Sequence, residues 1–254
     1  MEIAAPSLVP NLPECALLLD VDGTLLDLAP TPREVWVPPS LRLTVTRLFE
    51  RSGGAVAFVS GRSVADLDLL FAPLQLPAIG GHGAELRRAS GAPTQFRRRQ
   101  PLDPALKREF AQVAEIGPGV LIEDKGYSIA LHYRLAPELE GAVKREVAKI
   151  LADHGSAQIE ALPGKFVLEI KPVGFSKATG VRELMRDPPF LGRQPIFIGD
   201  DVTDESVFEM MREFDGLAFS VGRRLAGVDG HFDKPEAVRG WLAQIAGCAE
   251  SMEQ

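Results

Sequence analysis

The chain has 254 residues, 45% hydrophobic and 25% charged, with a formal net charge of −7. That composition leaves room for one large domain or two small ones, and its acidic balance argues against a broad nucleic-acid surface but not against a local basic pocket. Cys15 and Cys248 lie too far apart to form a metal motif or a disulfide framework, no stretch of 18 apolar residues is present to span a membrane, and the first residues lack the pattern of a signal peptide.

The expected setting is therefore a reducing, cytoplasmic one, without nucleic-acid or membrane partners. No internal repeat or low-complexity tract interrupts the chain. Residues 1–14 hold Pro6, Pro10 and Pro13 and read as a loose arm. Ala16 to Leu19 form an apolar run that ends in Asp20-Val21-Asp22-Gly23-Thr24. A short apolar run bounded by turn residues predicts a buried strand. Leu41, Val45, Leu48 and Phe49 recur at helical spacing, with Ser40 as the expected N-cap and Gly53-Gly54 as the stop. A second strand, Ala55 to Val59, ends in Ser60-Gly61-Arg62, and Ser63 is placed to cap the next helix. A third strand, Pro77 to Ile79, ends in Gly80-Gly81-His82-Gly83. Strands alternating with helices in this way imply a parallel sheet covered by helices.

The pattern then changes. Residues 84–100 read as a hairpin turning near Ser90-Gly91, with Arg97-Arg98-Arg99 as a solvated strand end. A helix from Pro104, strands at 119–124 and 127–134, a helix from Pro137 to His154, and strands at 157–162 and 166–171 follow. Helix–hairpin–helix–hairpin describes an antiparallel sheet with helices on one face. Residues 103–172 are thus expected to be an inserted second domain. The α/β pattern resumes with a helix capped by Ser176 and carrying Lys177. A strand from Pro195 to Ile198 ends in Gly199-Asp200-Asp201-Val202-Thr203-Asp204-Glu205. A helix, strands at 217–221 and 229–232, and a helix from Pro235 to Ala246 close the chain.

Four features recur at strand ends or helix starts of the core. Asp20 and Asp22 repel each other unless a proton or a cation intervenes. Gly23 lets the backbone approach a ligand, and Thr24 offers a hydroxyl. Together these suit a phosphate and a hard cation such as Mg²⁺; an acidic turn is the plainer alternative. Ser60 offers a hydroxyl and an N–H to a phosphate oxygen, or simply forms a capping turn. Lys177 lies in a first helical turn, where the dipole disfavours a cation. A nearby anion would resolve that conflict; a surface lysine is the alternative. A solvated acidic helix start explains Asp204 and Glu205, but explains Asp200 and Asp201 poorly.

D-V-D-G-T-L after an apolar strand resembles the haloacid-dehalogenase-like phosphatases, and Asp20, Ser60, Lys177 and Asp200 follow the order and context of that superfamily's four motifs. The resemblance implies a Rossmann-like core, 1–102 with 173–254, and a C2-type α+β cap, 103–172. It also implies an Mg²⁺-dependent mechanism. Asp20 is then the nucleophile that forms an aspartyl phosphate, Asp22 the general acid/base, and Ser60 and Lys177 complete the catalytic set. Mg²⁺ is held by Asp20, Asp200 and the main-chain carbonyl of Asp22. Gly23, Thr24, Ser60, Gly61 and Lys177 hold the phosphate, supported by Asp201 and Asp204.

Gly81-His82-Gly83-Ala84-Glu85, Glu123-x-Lys125-Gly126-x-Ser128, His132-Tyr133-Arg134, Glu169-Ile170-Lys171-Pro172 and the run from Gly199 to Glu205 narrow the resemblance to the trehalose-6-phosphate phosphatases. It spans roughly residues 16–245. The implied reaction is trehalose 6-phosphate to trehalose and phosphate, with a functional link to a trehalose-phosphate synthase. Arg62, His82, Gly83, Glu123, Lys125, Ser128, His132 and Glu169 are then expected to meet the substrate. One departure is Ala178, where the family's lysine is usually followed by Gly. In the insert, Ser128, Ala130 and His132 alternate with Ile129, Leu131 and Tyr133. Val167, Glu169 and Lys171 likewise alternate with Phe166, Leu168 and Ile170. One face is apolar; the other suits sugar hydroxyls or, equally, water. Phosphatases for sucrose phosphate or mannosyl-phosphoglycerate share the core, and a non-catalytic sugar-phosphate sensor could retain it.

Overall fold

The computed structural model describes residues 9–29, 34–96, 102–155 and 158–248. The chain divides into two compact units, 1–97 with 176–254, and 98–175. The division falls a few residues outside the expected 103–172. The expected Arg97-Arg98-Arg99 strand end and the first part of the arm lie outside the described residues.

The first unit begins with β1 (Cys15–Leu19), α1 (Pro39–Arg51), β2 (Val56–Val59), α2 (Val64–Leu70), β3 (Ala78–Gly80), β4 (Glu85–Arg87) and β5 (Gln95–Phe96). The second holds α3 (Pro104–Gln112), β6 (Leu121–Asp124), β7 (Ile129–His132), α4 (Glu140–Asp153), β8 (Ile159–Gly164) and β9 (Val167–Pro172). The first then resumes with α5 (Lys177–Leu184), β10 (Gln194–Gly199), α6 (Val202–Met210), β11 (Leu217–Val221), β12 (Gly230–Phe232) and α7 (Pro235–Ile245).

The larger sheet has the order β12-β11-β10-β1-β2-β3-β4-β5. It is parallel from β12 to β3, and β4 and β5 add an antiparallel edge. The central strands are buried on both faces, which is why they read as continuous apolar runs rather than alternating ones. Leu17, Leu19, Phe58 and Ile198 pack with α1 and α7 residues such as Leu48 and Trp241. Ala16, Leu18, Val59 and Phe197 pack on the other side with Val181 of α5 and Val207 of α6. This α/β layering places Asp20, Ser60 and Asp200 just past the C-terminal ends of adjacent strands, the edge where open sheets bind ligands.

The second unit is an antiparallel sheet, β6-β7-β9-β8, whose apolar face meets Phe110 of α3 and Val143 and Val147 of α4. Ile129, Leu131, Tyr133, Leu168 and Ile170 lie on that face as their alternation predicts.

Two local expectations are corrected and one is met. Ser40 does not cap α1; Pro38 holds the N-cap position and supplies no side-chain bond, because a proline ring carries no acceptor, and Pro39 fits the first helical position, where its missing N–H leaves nothing unpaired. The hairpin of residues 84–100 turns at Ser90-Gly91 as expected, the Ala92 amide reaching the Ala89 carbonyl at 3.1 Å with Gly91 at φ 68°, and among the described residues Glu85–Leu86 pair with Gln95–Phe96. Strand β8 runs through Pro163-Gly164, and the turn falls one step later, with Phe166 at φ 63°. Phe166 is therefore a 39% exposed turn residue and takes no part in the apolar face.

Candidate active site

Asp20 leaves the sheet as it ends: its N–H still donates to the Ile198 carbonyl, at 3.0 Å. The chain then turns through Val21 to Leu26, with the Leu25 and Leu26 amides both on the Val21 carbonyl at 2.9 Å. Gly23 sits in this turn at φ +82°, and a Cβ there would lie 2.1 Å from Asp200 Oδ2. Glycine is thus required both by its backbone conformation and by the approach of the second acidic loop. Thr24 is buried, and its hydroxyl reaches Asp200 Oδ1 at 3.4 Å.

Lys177 resolves the conflict seen in its helical position. Its Nζ donates to Asp20 Oδ1 and to Asp204 Oδ1, each at 2.7 Å. All three side chains are buried. Burial opposes the ammonium form, but Asp20 and then Asp204 outweigh it and hold the Lys177 pKa above its ordinary value. Burial pushes the Asp20 carboxyl up, Lys177 opposes it, and the nearby Asp204 and Asp200 push the same way as burial. The departure at Ala178 does not unseat the lysine. Ser176 caps α5 in a reciprocal bond pair with Thr179, and Ala178 is buried in the first turn.

Asp204 is 0% exposed. Its Oδ1 accepts from Lys177, and its Oδ2 accepts from the Asp200 and Asp201 amides at 3.0 Å. It therefore holds the Asp200 loop and the lysine together. Asp201 caps α6, its Oδ1 taking the Val202 amide at 2.8 Å. Arg223, which the sequence did not single out, donates from Nε to the Asp200 carbonyl at 3.2 Å and from Nη2 to Glu205 at 3.0 Å. Nothing in the spacing of a loop arginine signals this.

One carboxylate oxygen each from Asp20, Asp200 and Asp204 lies within 4.8 Å of the others. Both Asp204 oxygens are committed to donors, so a cation fits best between Asp20 and Asp200. An all-oxygen donor set of this kind suits a hard cation such as Mg²⁺, and the space that a Cβ on Gly23 would fill lies beside Asp200.

Asp22 and Arg62 form a bidentate pair, Nε to Oδ2 at 2.6 Å and Nη2 to Oδ1 at 2.7 Å. Arg62 is thus held by the second aspartate of the motif. Ser60 is buried; its hydroxyl accepts from the Arg62 amide at 3.1 Å, while its own amide is spent on the Ile79 carbonyl at 2.8 Å. Of the two donors expected at Ser60, the amide is therefore taken by the sheet, and the hydroxyl hydrogen is the one left for a ligand. Gly61 lies against the His82 ring, where a Cβ would be 2.3 Å from Nε2. His82 and Gly83 follow β3 in a tight turn, with φ 51° and 102°.

The second unit gathers its own polar set. Glu169 accepts from Lys125 Nζ at 2.7 Å and from the Ser128 hydroxyl at 2.8 Å. His132 Nε2 meets Glu123 Oε2 at 2.9 Å. That bond, with help from Lys125 and against burial, holds the Glu123 carboxyl below its usual range. Lys171 differs from the expectation of an outward polar residue: it is buried, bonded to Glu160 Oε1 at 2.5 Å and to the Phe175 carbonyl at 2.7 Å.

The fold is shared with solved phosphatases of the haloacid-dehalogenase-like superfamily. A trehalose-6-phosphate phosphatase C-terminal domain from C. albicans superposes with a TM-score of 0.86 at 21% identity, covering 97% of this chain and 98% of that one. A superfamily phosphatase from Bacteroides thetaiotaomicron gives 0.60 at 16% identity over 95% and 99%. The family model "Trehalose-phosphatase" matches residues 18–234. A probable trehalose-phosphate phosphatase of Sinorhizobium fredii is 40% identical over 93% of this chain and 89% of its own length. The trehalose-6-phosphate phosphatase of Escherichia coli is 37% identical over 84% and 82%. The chain belongs to the trehalose-phosphatase family, and is a phosphoric monoester hydrolase.

Proposed function

We propose that the protein hydrolyses trehalose 6-phosphate to trehalose and inorganic phosphate. The observation that carries this reading is the buried Asp20–Lys177–Asp204 cluster beside Asp200, in a chain 40% identical to a probable trehalose-phosphate phosphatase. Asp20 attacks phosphorus and becomes an aspartyl phosphate. Lys177, the Ser60 hydroxyl and the Gly23–Thr24 turn face the charge that spreads over the phosphoryl oxygens. Asp22 protonates the leaving alcohol, then takes a proton from the water that cleaves the intermediate. Each Asp22 oxygen accepts one bond from Arg62 and keeps a second lone pair on which the proton can be carried. Asp20, Asp200 and the main-chain carbonyl of Asp22 would hold Mg²⁺. When bound, it offsets the repulsion between the phosphate dianion and the carboxylates. Phosphate release from trehalose 6-phosphate, measured beside sucrose 6-phosphate and glucose 6-phosphate, tests the assignment; preference for either of the latter would refute it.

Excess chelator is expected to abolish that release, and added Mg²⁺ to restore it. Full turnover in chelated protein, with no metal found by elemental analysis, would remove the metal from the reading.

The insert is the substrate-specificity cap in this reading. Glu123, Lys125, Ser128, His132 and Glu169 supply donors and acceptors to sugar hydroxyls; Arg62, His82 and Gly83 are the core unit's own candidates for substrate contact. Leaving a buried hydrogen-bonding partner unpaired costs about 1–3 kcal/mol, or roughly tenfold to a hundredfold in kcat/KM. Lys125→Ala and Glu169→Ala are expected to lose that much with trehalose 6-phosphate and far less with p-nitrophenyl phosphate. Equal losses on both esters would mean that these residues serve the fold instead.

Two further proposals accompany this one. A trehalose-phosphate synthase is the partner in function, since a relative in Thermoproteus tenax is a bifunctional synthase/phosphatase, 32% identical over 76% of this chain and 27% of its own length. A cytoplasmic setting agrees with the two free thiols, Cys15 and Cys248. Among the described residues no helix is long and apolar enough to cross a membrane.

A further inference from the structure

Glu85 is a buried carboxylate, 6% exposed, and among the described residues no ion pair neutralises it. Burial pushes its carboxyl up, against the Val64 amide, which donates to Oε2 at 2.6 Å. Keeping such a group inside is unfavourable unless a donor compensates it, and the Val64 amide is that donor. Val64 opens α2 directly after the Ser60-Gly61-Arg62-Ser63 loop. Two further bonds stitch that loop to the segment preceding Glu85: Gly81 N to the Arg62 carbonyl at 2.8 Å, and His82 N to the Ser60 carbonyl at 3.0 Å. Gly80 also lies so close that a Cβ would be 2.8 Å from the Val64 amide. The other edge of the segment touches the lysine's helix. A Cβ on Gly83 would fall 2.2 Å from the Ser176 carbonyl, one residue before Lys177.

We infer that Glu85 is a positioning residue, anchoring a strap of residues 80–85 that sets the Ser60–Arg62 loop and the start of α5 against each other. The inference rests on the reading above, in which Ser60 and Lys177 act on the same phosphoryl group. Neither Ser60 nor Lys177 touches Glu85; the strap carries the effect through backbone contacts. What matters at Glu85 is an acceptor oxygen at the right reach, and the charge itself is dispensable.

That distinction sets the test. Glu85→Gln keeps an acceptor at full length, Glu85→Asp keeps the charge but withdraws it by one methylene, and Glu85→Ala removes both. kcat and KM for p-nitrophenyl phosphate are measured per folded molecule, with melting temperature followed alongside. A displacement near 1 Å at a reacting group costs up to about a hundredfold, so Glu85→Asp and Glu85→Ala are expected to lose about tenfold or more in kcat with KM little changed. Glu85→Gln is expected to stay within about threefold of the parent, since the acceptor remains in place. Hydrogen exchange should speed up at residues 60–64 and at 176–180 in the Asp and Ala variants.

A lowered melting temperature with unchanged kcat would make Glu85 merely structural and overturn the inference. So would parent-like turnover in Glu85→Asp with loss in Glu85→Gln, or faster exchange confined to residues 60–64. If Glu85→Ala does not fold, the Gln and Asp variants decide. Because the small ester carries no sugar, failure to hydrolyse trehalose 6-phosphate would refute the substrate assignment and leave this comparison standing.

Discussion

Asp20→Asn is expected to yield a folded protein whose phosphate release falls about a thousandfold or more, roughly 4 kcal/mol in the barrier. Asparagine has nearly the same shape and keeps an oxygen for the Lys177 ammonium, which donates to Asp20 at 2.7 Å. It also removes one of three carboxylates that crowd within 4.8 Å. Stability should therefore be kept or raised, while the proposed nucleophile is gone. Phosphate release and a melting curve on the same preparation check both halves. Near-parent turnover in the variant would show that Asp20 does not attack phosphorus.

Lys177→Met is expected to cost both stability and turnover. The lysine is enclosed between Asp20 and Asp204, so its removal leaves two buried carboxylates without their shared counter-charge. Breaking a buried pair by deleting one partner costs about 3–5 kcal/mol. Turnover should drop about a hundredfold or more as well, because the cation beside Asp20 is lost. The pH dependence has a definite sign. The Lys177 pKa is raised in the fold, so its contribution is present at all lower pH and is lost only at strongly alkaline pH. In the variant, Asp20 loses the main influence opposing burial, and its carboxyl, already raised, moves further up. A carboxyl raised in the fold binds more protons folded than unfolded, so stability increases as pH falls towards the unfolded value. The stability deficit should therefore shrink as the pH falls from neutrality towards the ordinary carboxylate range. Denaturant unfolding across that range reads it directly. A deficit that grows on acidification would mean that the carboxylates do not depend on Lys177.

The parts of the site that could be read in advance share a physical signature. Asp20, Ser60 and Asp200 each follow an apolar run too short for a helix, and a buried parallel strand must end somewhere polar. Lys177 stood out because a cation at a helix start is unfavourable without an anion. What could not be read depends on contacts far apart in the chain. The fork between Arg62 and Asp22 spans 40 positions. Asp204 shares its acidic neighbourhood with Glu205, and nothing local distinguishes the fully buried residue from the half-buried one. Glu85 reads as one more polar residue in an edge hairpin. In the insert, alternation located the apolar face correctly but could not show that Lys171, on the polar face, is enclosed by Glu160 and Phe175. The turn at Lys165-Phe166 was missed because Pro163-Gly164 carries the stronger local turn chemistry, yet pairing with β9 keeps both in the strand.

The place of β1 in its sheet has a consequence for how the chain comes to be folded. β1 lies between β2 and β10, and Leu17 pairs with Val56 on one side and Ile196 on the other, the latter about 180 positions away. A growing chain emerges from its N-terminus, so β1 is made early and must wait, with one ladder edge open, until residues 194–199 have been synthesised. β6 to β9, by contrast, pair within a window of about 50 residues and can close their sheet while the longer one is incomplete. During that interval Leu17, Leu18 and Leu19 form an exposed apolar edge, the kind of surface on which newly made chains aggregate. The insert lengthens that wait by its whole length, and the exposure of β1 ends only when the second half of the core arrives.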